Sequence, residues 1–276
     1  MALPSSGPIS LLDIQNEFGG SNPISISEYY GVDTGVPTSG TISLSNFYGT
    51  ASFTPAINTN GLYIYYDMRY SYPGSGSVLS DMSGNGNNGT ITGSPTFSGG
   101  NSFVFDGITG KSILTSNTGS TFWNSNWTAS FWVKFDVIST SVSSGNGYVL
   151  FQQGTFVVNG YRSFEQRANS TWISTFNGIG ETSVNENVFT LTANTLYYCT
   201  VSVDSSNNVK FYINGQPGTT GVLNVTVSNT EATLLDNSTL GIGNPFDGTF
   251  YAFHLYNRVL SAAEVLANYN AESGVW

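Results

Sequence analysis

Along most of the chain, short runs with every second residue apolar are separated by clusters of Gly, Asn and Ser. In ASFWVKFD, Phe131, Val133 and Phe135 face one way and Ser130, Trp132 and Lys134 the other, the period of a half-buried strand. LYIYYDM, SFVFDG, YVLFQQ, LYYCTVSV, VKFYING and TFYAFHLY have the same aromatic and β-branched make-up, and the turn clusters between them are spaced as in a sandwich or jelly roll. Asn214-Gly215 reads as a type I′ hairpin and NGNNG (Asn85 to Gly89) as a tight turn, since Asn and Gly tolerate positive φ. The FDG triplets at Phe105 to Gly107 and Phe246 to Gly248 read as further turns, each leaving a carboxylate at a loop. One helix stands out, at the end, where Ser261 and Glu264 form a capping box ahead of VLANYN. The pattern over 60–276 predicts an all-β domain with one C-terminal helix, preceded by a connector over 51–59.

Residues 1–50 follow another rhythm. GPISLLDIQNEFGG, NPISISEYYG and GTISLSNFYG share an Ile-Ser start, an acid or amide three residues after the serine, then an aromatic residue and Gly. Ser10 with Asp13, Ser25 with Glu28 and Ser43 with Asn46 have the spacing at which a cap hydroxyl and an N3 side chain satisfy each other's free backbone N–H groups. Each copy therefore predicts a short capped helix, stapled by Ile9, Ile24 or Ile42 and stopped by Gly19, Gly31 or Gly49. Helices this short are marginal alone and must lean on something. The segment shows few large apolar side chains and no evident core, so it reads as an arm docked on a sister subunit or another particle protein through Ile9, Leu12, Phe18, Ile24, Tyr29, Tyr30, Ile42, Phe47 and Tyr48.

Composition narrows the setting. Of 276 residues, 39% are hydrophobic and only 9% charged, so the chain folds, with amides and hydroxyls supplying its solubility. The net charge is −10, and the first fifty residues hold four acids and no Lys or Arg, which argues against nucleic acid and anionic membranes as partners. Cys199 stands alone in an apolar run, where a buried inert thiol is expected, and a single cysteine builds neither a disulfide framework nor a metal site. No basic and apolar export signal opens the chain, so Asn-x-Ser/Thr at Asn88, Asn126, Asn169, Asn224 and Asn237 reads as an accident of composition. A surface-type composition without such a signal suggests synthesis in a host cytoplasm and release by lysis.

The motifs LSDMSGNGNNGTITG, NSFVFDG, WTASFWVKF, VKFYINGQ, STLGIG and GTFYAFHLYNRVLSAAEVLANY resemble, in order and spacing, the concanavalin A-like, laminin-G-type jelly-roll domains of bacterial surface and phage proteins. Residues 1–50 resemble the Ser/Gly/Ile repeats at the front of virion structural proteins of tailed phages. Together these imply a virion surface protein, a head decoration or a tail or fibre component, with other virion proteins and its own copies as partners. Some domains of this fold bind Ca²⁺ through loop carboxylates. Asp81 in DMSGNG echoes the first half of such a loop, but the position of the closing bidentate Glu is Thr92, and an Asx-capped turn is the competing reading.

Other proteins with this jelly roll hydrolyse glycosides, which takes two carboxylates flanking the scissile bond. Their Glu-x-Asp-x-x-Glu strand pattern is absent, and Glu165, Glu181 and Glu186 are the nearest offerings. His254, the single histidine, reads as a strand residue rather than a general base. The expectation is a non-enzymatic protein that needs no cofactor. As an alternative to the virion role, exposed aromatics could stack on sugar faces of a host-surface polysaccharide; Trp123, Trp172 and Tyr161 are the candidates, whereas Trp127 and Trp132 read as core.

Overall fold

Contacts divide the chain into two compact units, Met1–Pro55 with Tyr72–Gly76, and the remainder. The structure, a computed structural model, describes residues 3–20, 22–33, 36–37, 39–50, 56–106, 112–114, 122, 125–140, 148–153, 161–176, 181–223, 232–234 and 246–276.

In the first unit every serine cap forms where its spacing places it. Ser10 caps helix α1 (Leu11–Phe18), and Ser25 and Ser43 cap 3-10 turns at Ile26–Tyr29 and Leu44–Phe47. The N3 side chains of Asp13, Glu28 and Asn46 accept from the cap N–H groups at 2.8, 3.0 and 2.8 Å. The three capped turns lean on one another. Leu3, Ile14, Tyr29, Val36 and Phe47 form a buried cluster, with Ile9, Leu11, Phe18, Ile24, Ile26, Val32, Ile42 and Leu44 packed around it. The rings of Phe18, Tyr29 and Phe47 make a triangle with centroids 6.4, 6.3 and 6.1 Å apart.

This overturns the expectation of an arm without a core. It also relocates the residues read as a docking surface. Tyr29 and Phe47 lie at the centre of the unit, Ile9, Phe18, Ile24, Tyr30 and Ile42 are half-buried, and only Leu12, at 61% exposure, and Tyr48, at 39%, are largely open.

The packing shows a longer repeat than the capped turn. Buried apolar residues stand four positions after each cap, at Ile14, Tyr29 and Phe47, and core residues stand seven before, at Leu3, Phe18 and Val36. Two junctions are built alike. The N–H of Gly31 donates to the Pro37 carbonyl at 3.0 Å and the Tyr30 hydroxyl to that of Gly40. In the same way the N–H of Gly49 donates to Pro4 at 3.1 Å and the Tyr48 hydroxyl to Gly7 at 2.6 Å. The second repeat thus clasps the start of the third, and the third clasps the start of the first, closing a ring. The remaining junction differs because the position five after the cap, tyrosine in the other two repeats, is Gln15 within the longer α1, and its side-chain amide donates to the Gly20 carbonyl at 3.3 Å.

In the second unit the alternating runs form two antiparallel sheets. The strands are β1 (Leu62–Asp67), β2 (Val78–Leu79), β3 (Gly89–Thr92), β4 (Thr96–Ser98), β5 (Ser102–Asp106), β6 (Ser112–Leu114), β7 (Trp127–Phe135), β8 (Tyr148–Gln153), β9 (Tyr161–Arg167), β10 (Ser170–Phe176), β11 (Glu181–Asn185), β12 (Leu196–Val203), β13 (Asn208–Ile213), β14 (Gln216–Val222), β15 (Ala232–Leu234) and β16 (Asp247–Tyr256). The helices are α2 (Met68–Ser71) and α3 (Ala262–Glu272), the second capped by Ser261 as its sequence predicts. One sheet runs β14-β13-β12-β7-β16-β5-β4, with β1 also on β16, and the other runs β11-β10-β9-β8-β15-β6-β3-β2.

Phe131, Phe151, Phe164 and Phe211 fill the space between the sheets, with Phe164 centred 6.0 Å from Phe131 and 6.2 Å from Phe211. The alternation expected of β7 is present, yet both its faces are buried, because α3 covers the second one: Trp132 stacks on Tyr269 at 5.6 Å. Cys199 is buried, and burial pushes its thiol well above the ordinary value. Asn214 and Gly215 have φ of 50° and 75°, as a type I′ turn requires. The two FDG aspartates differ from expectation: Asp106 ends β5, Asp247 opens β16, and the two pair directly across the ladder. Burial and the neighbouring Asp136 and Asp106 raise the Asp247 carboxyl above its ordinary value.

Candidate functional site

The face of the second sheet turned away from the core carries a compact polar group. Alternation on β9 sends Phe164 inward and Ser163, Glu165 and Arg167 outward. On β10, Trp172 stands opposite Glu165 and Ser174 opposite Ser163, and on β11 Asn185 and Ser183 continue the two rows. Arg167 donates through Nε to Glu165 Oε2 at 2.6 Å and through Nη2 to Ser174 Oγ at 2.9 Å, and the Ser163 hydroxyl donates to Glu165 Oε1. Trp172 donates its indole N–H to the Arg167 carbonyl at 3.2 Å, and the guanidinium carbon lies 5.4 Å from the Trp172 ring centroid.

Ser163, Glu165, Arg167 and Ser174 are no more than 1% exposed, and Trp172 is half-buried. A buried ion pair is tolerable only when both ions are further satisfied, and the two serines supply that. The group is therefore charge-neutral and rigid, with Trp172 its accessible member. Replacing Arg167 by Ala would leave the Glu165 charge uncompensated, and a loss of about 3–5 kcal/mol is expected in chemical denaturation.

Of the three residues read as sugar-stacking candidates, Trp172 belongs to this face. Tyr161 opens β9 with its side chain outside the described residues, and Trp123 lies outside them altogether. Trp127 and Trp132 are core residues, at 0 and 2% exposure. The Glu165–Arg167 pair was not singled out in the sequence; the signal that points to it is opposite charges two apart on a strand, hence on one face, and nothing local marks its burial.

Asp81 is the hub of a loop. Its Oδ1 accepts from the N–H groups of Tyr65 and Ser83, both at 2.9 Å, and its Oδ2 accepts from the Ser83 hydroxyl at 2.7 Å and the Asn87 N–H at 2.9 Å. Four accepted bonds occupy both oxygens, so a cation there would have to displace protein donors. Among the described residues no three His, Cys, Asp or Glu side chains converge where a metal could sit. Asp81→Ala is expected to cost about 1–3 kcal/mol by orphaning these donors. The melting midpoint of the unmodified protein should be the same in EDTA and in calcium; a rise with calcium would favour the calcium-loop reading over the Asx-capped turn.

A second buried cluster ties α3 to the first sheet. Glu272 accepts from Trp132 Nε1 at 2.7 Å and from the Tyr65 hydroxyl at 2.8 Å, and lies 3.4 Å from His254 Nε2. His254 Nδ1 meets the Tyr198 hydroxyl at 3.1 Å, while Arg69 pairs with Asp67 beside Tyr65. His254 is thus a hydrogen-bonded core residue, out of reach of any substrate.

Residues 106–266 match the family model described as the concanavalin A-like lectin/glucanases superfamily, a laminin G-type model. The chain belongs to this superfamily. Similar solved structures include a botulinum neurotoxin type C structure reported with cell entry dependent on two ganglioside molecules (TM-score 0.60, 16% identity, 77% of this chain and 51% of that one). A botulinum neurotoxin DC binding domain in complex with rat synaptotagmin II is alike to the same degree (TM-score 0.60, 14% identity, 78% and 52%). At these identities the likeness is one of fold, and the chain spans about half the length of these structures. No curated protein matches the sequence.

Members of the superfamily include glucanases, and here the site departs from what hydrolysis requires. The cross-strand neighbours of Glu165 are Trp172 and Val149, neither an acid, and Glu165 is itself held by Arg167. Among the described side chains no second carboxylate stands beside Glu165 on β8 or β10, so the paired acids that glycoside hydrolysis uses are not assembled at this position.

Proposed function

We propose that the protein is a non-enzymatic binding module of a virion surface, a head decoration or tail or fibre component, whose jelly roll engages host-surface polysaccharide through the sheet face around Trp172. The observation that carries the binding half is this neutral, prepaired polar face with one accessible tryptophan, the composition by which proteins stack on sugar rings. The superfamily includes lectins, and the neurotoxin whose cell entry depends on two gangliosides and the one in complex with synaptotagmin II have similar folds, which supports a receptor-type role.

The virion half rests on the N-terminal repeats, which resemble those of tailed-phage structural proteins and build an independent core suited to a preformed attachment unit. Other virion proteins and further copies of this chain are its proposed partners, met through open residues such as Leu12 and Tyr48. Its proposed place is the virion surface, after synthesis in the host cytoplasm. The test is mass spectrometry and cryo-electron microscopy of purified particles. Hundreds of copies on the shell would identify a decoration protein and a few copies at the tail a fibre component, whereas absence from particles would refute the virion role.

A further inference from the structure

We infer that the ligand of the Trp172 face is an uncharged glycan, and that acidic polysaccharides, whether uronate, sialate or sulfate, are excluded. The inference rests on the proposed sugar-binding role of that face and adds the ligand's charge class. A sugar carboxylate or sulfate, once it leaves water, needs a cation or a set of free N–H donors. The cation at this face is already spent. Arg167 gives Nε to Glu165 and Nη2 to Ser174, its guanidinium covers Trp172, and it is fully buried. The Trp172 N–H is likewise taken, by the Arg167 carbonyl.

The same holds away from the site. Among the described side chains every arginine is ion-paired: Arg69 with Asp67 at 2.5 Å, Arg167 with Glu165 at 2.6 Å and Arg258 with Glu264 at 2.7 Å. Lys134 pairs with Asp136 at 3.0 Å, and Lys210 lies 5.3 Å over the Tyr212 ring. With 7 basic against 17 acidic residues and a net charge of −10, the long-range field repels a polyanion before contact. A neutral sugar meets no such penalty, since its C–H faces stack on an indole and its hydroxyls exchange hydrogen bonds with serine and amide groups such as Ser183 and Asn185.

The experiment is affinity electrophoresis of the full chain through gels containing neutral polymers (laminarin, dextran, mannan) or acidic ones (alginate, polygalacturonate, hyaluronate), repeated for Trp172→Ala and Trp172→Phe. Circular dichroism melts establish that each variant is folded. The expected result is retardation by a neutral polymer, weakened about tenfold or more by Trp172→Ala, largely kept by Trp172→Phe, and unchanged between about 50 and 500 mM salt. Retardation by an acidic polymer that depends on Trp172 and fades with salt would overturn the charge inference and leave the sugar-binding role standing. Absence of retardation by either class would overturn the sugar-binding role, and the inference with it.

Discussion

Phe47→Ala is expected to unfold the N-terminal unit and leave the jelly roll folded. Phe47 is fully buried and closes the ring triangle with Phe18 and Tyr29. Truncating such a residue costs about 3–5 kcal/mol, and a core built from some fifty residues supplies about that much in total. The jelly roll has its own core and loses no contact named in it. The two units can be followed separately, because all five tryptophans lie at or beyond residue 123. Tryptophan fluorescence should therefore melt as in the parent protein, while limited proteolysis should now cut within residues 1–50. Leu12→Ala is the control, since Leu12 is 61% exposed and its loss should change stability by no more than about 0.5 kcal/mol. Loss of both melting transitions in Phe47→Ala would mean that the two units fold as one.

Glu272→Ala should be the most damaging change within the jelly roll, at about 3–5 kcal/mol. It removes the acceptor shared by Trp132 and Tyr65 and the carboxylate 3.4 Å from His254 Nε2, in a cluster closed to water. The effect depends on pH. Burial pushes the Glu272 carboxyl up, but His254 and the hydrogen bonds from Tyr65 and Trp132 outweigh burial and hold it below its ordinary value of 4.5. A carboxyl lowered by folding stabilises fully above its unfolded value, and that contribution is lost as pH falls through the lowered folded value. The anchorage of α3 should therefore weaken only in acid, below about pH 4.5. Melts between about pH 7 and pH 3, read by tryptophan fluorescence, should show this loss in the parent and a flatter profile in Glu272→Gln. An identical acid profile in both would assign the acid sensitivity to other carboxyls, such as Glu264, which Arg258 and its cap bonds bring down to about 2.

What the sequence discloses and what it conceals divide along the range of the interactions. The caps at Ser10, Ser25, Ser43 and Ser261 were legible because a hydroxyl and its N3 partner are three residues apart. The strands were legible because period two is written locally, as in Phe131, Val133 and Phe135. The core of the N-terminal unit was not, because its second layer uses unlike residues, Leu3, Phe18 and Val36, whose equivalence is visible only once each cap is taken as the origin. Trp132 was read as core, but what covers it was not legible: it stacks on Tyr269 of a helix more than a hundred residues later in the chain, which no window around β7 contains. At the proposed binding face, Trp172 was readable as an aromatic among polar neighbours. The partnership of Arg167 with Glu165 under it required knowing which strand face is outward.

The closure of the N-terminal ring has a mechanical consequence. Leu3 donates to Thr50 at 2.7 Å, so the two ends of the unit lie side by side, joined by a few bonds in a row: Leu3 to Thr50, Gly49 to Pro4, Tyr48 to Gly7. Tension applied between those ends peels the bonds apart in sequence, each carrying the whole load in turn. A grip spread over the outside of the unit leaves all three out of the line of force. A tether through the first residues would therefore be soft, and a socket that holds the ring by its surface would be firm.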